Sequence, residues 1–241
     1  MKGVWIIFRR EVGQYFASPI AYVIAAALLL LTGLYFTGDL TFSLTRKAVD
    51  PALIPNFLTA ALIFFAPLIT MRMLAEEQRE GTLELLLTAP VNDAAIVIGK
   101  FLGAWFYFTM VLAVTLVYQI ILLNISQPDL AHTLCAHMGI WLYAGATLAI
   151  GLMFSALTEN QIVAAFLSSA TLVFLYLGDI AGQIVTNLDL ARLIRELTMA
   201  GHYTSSFAVG IIRAEDVAYF AGIIAVMLFI AIRVVESHRW R

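Results

Sequence analysis

Charge is scarce in this chain. Asp, Glu, Lys and Arg make up only 12% of its 241 residues, about half the share usual in soluble domains. Apolar types make up 62%, and so few polar groups cannot cover the outside of a water-soluble fold of this size. That balance excludes an ordinary soluble enzyme, a disordered regulator and a nucleic-acid binder. An excess of either sign is also missing: the net charge is −2, which implies no bulk electrostatic partner. Cysteine is nearly absent, with Cys135 alone, so neither an intramolecular disulfide framework nor a CxxC metal site can form. A phosphate-binding loop is lacking too. The nearest fragment, Ala94 to Phe101 (AAIVIGKF), has no first glycine and no Ser or Thr after Lys100, so nucleotide hydrolysis by that route is excluded. No G-x-S-x-G elbow or H-E-x-x-H pair occurs. His132 and His137 stand five apart, a poor helical ligand spacing, and with His202 they read as interfacial polar groups. What remains is an integral membrane protein that is not itself an enzyme.

The rare charges punctuate the chain. Between them lie six uncharged stretches of 16 to 29 residues, and about 20 apolar residues suffice for a helix to cross the hydrocarbon core. These give six predicted spans: 19–36, 54–71, 101–123, 138–157, 162–177 and 217–232. The runs lack the two-residue alternation of a membrane barrel, so the fold class is all-α. No span contains Asp, Glu, Lys or Arg, which disfavours a proton-coupled carrier or a charged filter. With an even number of spans both termini share a side. Placing them in the cytoplasm puts nine of the 14 Lys and Arg residues inside and five outside, as the positive-inside rule prefers. The first span is too long for a signal-peptide core and has no A-x-A site after Phe36.

Residues 1–17 read as an amphipathic helix lying in the inner membrane interface. Val4, Trp5, Phe8, Val12, Tyr15 and Phe16 share a face; Lys2, Arg9, Arg10 and Gln14 lie away from it, Glu11 sits within the same helix, and Ile6 and Ile7 break the pattern. Ser18-Pro19 turns the chain into the bilayer. The cytoplasmic loop 72–100, RMLAEEQREGTLELLLTAPVNDAAIVIGK, holds a second short element. Gly81 ends the helix that leaves the membrane, Thr82 caps a new helix over Leu83–Leu87, Pro90 limits it, and Asn92 and Asp93 start the helix of the third span. Leu83, Leu86 and Leu87, edged by Glu84, form an apolar face that a lipid surface or a protein partner must cover, and the spacing alone does not choose between them. Thr158 and Gln161 match a capping box for the fifth span. The outer loop 178–216 is too long to be structureless; Leu190, Leu193, Ile194 and Leu197, and then Phe207, Ile211 and Ile212 around Gly210, predict short helices at the outer interface. Small residues four apart, Gly99/Gly103, Gly145/Ala149 and Thr147/Gly151, favour close helix contacts within one bundle over a dimer seam.

The strings SPIAYV, LAEEQREGTLELLLTAPV, IVIGKFLGA and SALTENQIVAA together resemble a bacterial ABC-2-type permease, and most closely its gliding-motility-type branch. The block Glu77–Val91 is the specific part of the likeness, with Thr158-Glu-Asn-Gln161 in support; Arg213 departs from the acidic residue expected in that branch. The resemblance implies a permease subunit of an ATP-binding cassette exporter in the bacterial cytoplasmic (inner) membrane. It would pair with a second permease subunit, identical or homologous, and with two copies of an ATPase subunit that hold the ATP and magnesium. It also implies that the short loop helix is a coupling helix seated in the ATPase, with contacts from Thr82, Leu83, Glu84, Leu85, Leu86 and Leu87 and hinges at Gly81 and Pro90. The helix Phe8–Phe16 would make a second contact, with Arg9 and Arg10 facing the ATPase or lipid headgroups. Tyr107, Thr109, Thr115, Tyr118 and Gln119 are the polar groups of the third span available to a path between subunits, or to hydrogen bonds between helices. An ion-independent carrier or small channel, and a membrane scaffold of a motility or secretion complex, are the other readings.

Overall fold

The computed structural model describes residues 2–46, 50–83, 86, 91–125, 129–185 and 187–238, and they contain helices, turns and no strand. In chain order these are α1 (Lys2–Ala17), α2 (Pro19–Arg46), α3 (Leu53–Thr70), α4 (Ala75–Arg79), α5 (Asp93–Ile125), α6 (Leu130–Leu157), α7 (Gln161–Ile184), α8 (Leu188–Leu197), α9 (Met199–Ser205), a 3₁₀ turn (Phe207–Val209) and α10 (Ala214–His238). Six of them, α2, α3, α5, α6, α7 and α10, belong to stretches long and apolar enough to cross a membrane.

The helices run past most of the predicted span limits. Charges drew those limits, on the premise that a charge marks the water. Instead α5 begins at Asp93 and carries Lys100, and α7 carries Asp179, and all three side chains are buried. A charge can lie inside a helix when the fold, rather than water, supplies its partner.

α6 is the central post. It packs against α3 and α10 most extensively, and against α5 and α7. Its own small residues permit this, since a side chain cannot be added where a neighbour already stands. A Cβ on Gly145 would come within 2.9 Å of the Trp105 ring and 3.0 Å of Ile224. Gly151 lies against Thr70, and Gly139 against Phe207. Both Gly145 and Gly151 therefore serve packing within the bundle. The outward faces of α2, α7 and α10 expose Leu30, Leu34, Phe166, Phe174, Val226 and Phe229, an exterior suited to hydrocarbon.

Local chemistry explains the helix ends. Asn92 accepts from the Ala94 amide at the start of α5, as the sequence predicts. The capping box predicted at α7 does not form. Asn160 caps that helix through the amides of Ile162 and Val163. Thr158 instead accepts from Asn160 N, and Gln161 is drawn away to accept from Arg72 Nε at 3.3 Å. The short Asx turn outcompetes the longer Thr-to-Gln reach because its acceptor is one residue from the helix.

At the opposite end of the bundle, α8, α9 and the 3₁₀ turn are the short helices predicted for residues 178–216. Phe207 is buried against Phe220, but Ile211 and Ile212 are exposed, because Gly210 at φ 82° breaks the helical spacing between them. His132 Nε2 meets the Ala208 carbonyl at 2.7 Å, His137 Nδ1 its own-turn Thr133 carbonyl at 2.8 Å, and His202 Nδ1 the Asp216 carboxylate at 2.5 Å.

Candidate functional site

α1 lies along α5, and the sequence of both explains why. Gly99 and Gly103 are one turn apart on α5. A Cβ on the first would meet Ile7 Cβ at 2.7 Å, and on the second Glu11 Cβ at 2.7 Å. Only glycine lets the two backbones come this near. Ile7 and Glu11 are likewise one turn apart on α1, so one seam joins the helices.

This corrects the predicted face of α1. Ile7, which seemed off-pattern, is 4% exposed, whereas Trp5 is 63% exposed and Phe16 is exposed. The buried stripe is Ile7 and Glu11. Trp5 and Phe8 flank it, Phe8 meeting Phe106 edge-on. Val12 and Tyr15 are partly buried. Periodicity alone assumed a helix floating on lipid; the glycine seam and a buried ion pair turn it toward the protein instead.

The ion pair is the centre of the site. Lys100, 2% exposed, places its Nζ 3.0 Å from Glu11 Oε1 and 3.0 Å from Glu77 Oε1. Arg10 Nη2 donates to the same Glu77 oxygen at 2.9 Å. Two carboxylates and two cations thus tie α1, α4 and α5 together. Buried charges of this kind persist only when paired, and removing one partner is far costlier than the pair is favourable. Arg9 and Arg10 are both exposed, and Arg10 reaches the site through its bond to Glu77. Tyr15 stacks on Tyr107 with ring centres 4.9 Å apart and donates to the Ile69 carbonyl at 3.2 Å. Burial, then the Glu11 carboxylate and Tyr107, push the Tyr15 phenol well above the usual tyrosine value.

A second fixture sets α4. Its first amides have no capping side chain of their own. Ser155 of α6 supplies one from across the fold: its Oγ accepts from Leu74 N and Ala75 N at 3.0 Å each and donates to Met71 O at 3.2 Å. Gln78 donates to the Ala156 carbonyl at 2.8 Å. Glu77 is thereby aimed at Lys100. The chain then turns at Gly81, whose φ of +70° a non-glycine residue adopts only with strain, as predicted for that position. Thr82 does not stand outside a helix as its cap; its hydroxyl donates back to the Glu77 carbonyl at 3.4 Å. Leu83 is buried in the chain's own core and Leu86 packs against it, so part of the predicted leucine face is covered from within. Glu84, Leu85, Leu87 and Pro90 lie outside the described residues. Where the loop returns, Val91 and Ala95 lie beside Gly3 of α1, so α1 contacts the loop at both ends.

The polar groups predicted on the third span are all engaged between or within helices. Tyr107 donates to the Ala21 carbonyl at 2.6 Å, Tyr118 to that of Leu29 at 3.2 Å, and Gln119 to that of Pro51 at 3.2 Å. Thr115 donates to the Leu112 carbonyl, and Thr109 donates to Trp105 O while accepting from Trp141 Nε1. Tyr107 and Tyr118 thus hold α5 to α2, Gln119 holds it to the turn before α3 and Thr109 to α6, while Thr115 bonds within α5. Sequence reasoning missed Glu77, Lys100 and Ser155. The signal for Lys100 was present in the Gly99–Gly103 pair that brackets it.

Comparison with known proteins points the same way. Residues 37–235 match the model of the family described as ABC-2 family transporter protein. The Probable multidrug ABC transporter permease YbhS of Escherichia coli strain K12 and that of strain O157:H7 are each 25% identical to this chain over 170 residues, covering 67% of the chain and 45% of the relative. The chain thus spans less than half the length of these curated relatives. With six helices able to cross a membrane and a family match that takes in all or part of every one of them, the chain is a multi-pass membrane protein that belongs to the ABC-2 family of transporter proteins.

Proposed function

We propose that this chain is the membrane-spanning permease subunit of an ATP-binding cassette exporter in the bacterial inner membrane, worked by a separate ATPase subunit. Two permease subunits pair with two ATPases, which hold the ATP and magnesium. Both termini and the Gly81–Pro90 segment face the cytoplasm. The observation that carries the reading is the buried Lys100 cluster beside Gly81. A force applied to the loop reaches α4, passes through Glu77 to Lys100 on α5, and from Glu11 to α1. Rigid elements joined this way rock as a body. The curated relatives bear the words multidrug and permease in their names, which supports export of small organic molecules.

Deleting residues 81–90 tests the coupling role. The shortened protein is expected to insert in the membrane and to lose co-purification with the ATPase. Undiminished ATPase binding by the deletion variant would assign coupling elsewhere.

A further inference from the structure

A cleft of about 350 Å³ opens between α1, the start of α2, the end of α3, and α4, within the size range of small-molecule sites. One wall is apolar, built from Ile20, Ile24, Leu68 and Ile69. Ile20 and Leu68 are also exposed on the outside of the bundle, so this wall is continuous with the surface that faces hydrocarbon. The other wall is charged, and its balance is uneven. Three cations line it, and each has a partner: Lys100 holds Glu11 and Glu77, Arg10 holds Glu77, and Arg72 lies 3.6 Å from Glu76. The fourth carboxylate, Glu80, has no ion pair among the described residues and is exposed at the mouth. The second oxygen of Glu77 is buried with no donor. Surplus negative charge therefore sits beside an apolar wall that lipid-soluble molecules can reach.

We infer that this cleft binds an amphipathic organic cation, its apolar body against Ile20, Ile24, Leu68 and Ile69 and its charge toward Glu76 and Glu80. An anionic amphiphile of the same shape meets the surplus carboxylate and is refused; a neutral one gains only the apolar wall. Thr82 is the cleft residue that belongs to the Gly81–Pro90 segment; occupancy of the cleft does not require the ATPase, so the inference goes beyond the permease reading, and only the further statement that the bound cation is exported rests on that reading.

The full-length chain, purified without its ATPase and placed in lipid nanodiscs, is assayed by equilibrium binding of tetraphenylphosphonium and of tetraphenylborate, which share a shape and differ in the sign of their charge. Saturable binding of the cation at one site per chain is expected, with no saturable binding of the anion. Glu80→Gln weakens the cation by about fivefold, the effect of one nearby charge in a wet site. Ile24→Trp, which fills the apolar end, abolishes saturable binding. Thermal unfolding of each variant, unchanged from the parent, shows that the loss is not misfolding; Leu68→Trp is the replacement if Ile24→Trp unfolds. Equal binding of the two ions, or cation binding unaffected by both Glu80→Gln and the tryptophan variant, overturns the inference. Failure of the 81–90 deletion to release the ATPase would strike the coupling reading and leave this result intact.

Discussion

At the scale of single residues, Lys100 is the group on which most depends. Two carboxylates share its ammonium, and all three groups are buried. Lys100→Met leaves Glu11 and Glu77 buried with only Arg10 nearby, and is expected to cost about 3–5 kcal/mol. Adding Glu11→Gln to it should recover part of that loss, because the uncompensated charge is removed. Thermal unfolding of the two variants in one detergent checks both statements; equal stability of Lys100→Met and the parent would refute the cluster's role. Ser155→Ala removes the one oxygen that serves two amides of α4, at about 1–3 kcal/mol. Tyr15 adds a pH dependence. Its folded value lies above its unfolded one, so its contribution is complete below the ordinary tyrosine value of about 10 and declines as the pH rises past it. The unfolding temperature of Tyr15→Phe should therefore fall less steeply than that of the parent above about pH 10. Apart from the Gly99–Gly103 pair that brackets Lys100, these roles left no mark in the sequence. Lys100 reads there as the charge that precedes the third span, Glu77 as part of the cytoplasmic loop and Ser155 as the start of a turn, because a partner from a distant helix leaves no local pattern.

At the scale of elements, α1 shows how far periodicity reaches. Its existence, its limits near residue 17 and the elbow at Ser18-Pro19 all follow from the sequence. Its orientation does not, because Ile7 is set by Gly99 and Glu11 by Lys100. Gly103→Leu should push α1 off α5 and break the Glu11 contact. Cysteine introduced at position 7 would then react with a water-soluble maleimide that leaves it untouched in the parent sequence; protection in both would show that the seam tolerates the bulk. The turn after α4 is more legible, since a positive φ at Gly81 is the ordinary end of a helix at glycine. Gly81→Ala should cost roughly 1–2 kcal/mol and should weaken ATPase association more than it weakens membrane insertion.

At the scale of the whole molecule, six crossings bring α1, the 72–82 loop and the turn at residues 158–160 to one end, and α8, α9 and the 3₁₀ turn to the other. Arg72 bonded to Gln161 and Gln78 bonded to Ala156 mark the first end; His132 bonded to Ala208 marks the second. The orientation proposed above, both termini in the cytoplasm, predicts that a cysteine at Gly13 is labelled only after the membrane is permeabilised, and one at Arg192 in intact spheroplasts. The reverse result would invert the orientation and with it the coupling role. Cys135 is buried and does not compete in this measurement.

By itself the sequence determined the class and the count: a shortage of charge leaves only hydrocarbon to cover the surface, and runs of about 20 apolar residues can be counted without knowing what they touch. The glycines and Gly81 were also marked there, since their backbone freedom is local. The tertiary structure alone decided where the scarce charges go. Glu11, Glu77 and Lys100 lie on three elements up to 89 residues apart, and burial makes each depend on the others for a partner. That mutual need arises only when the helices have packed, and it is what joins α1, the loop and the bundle into one body.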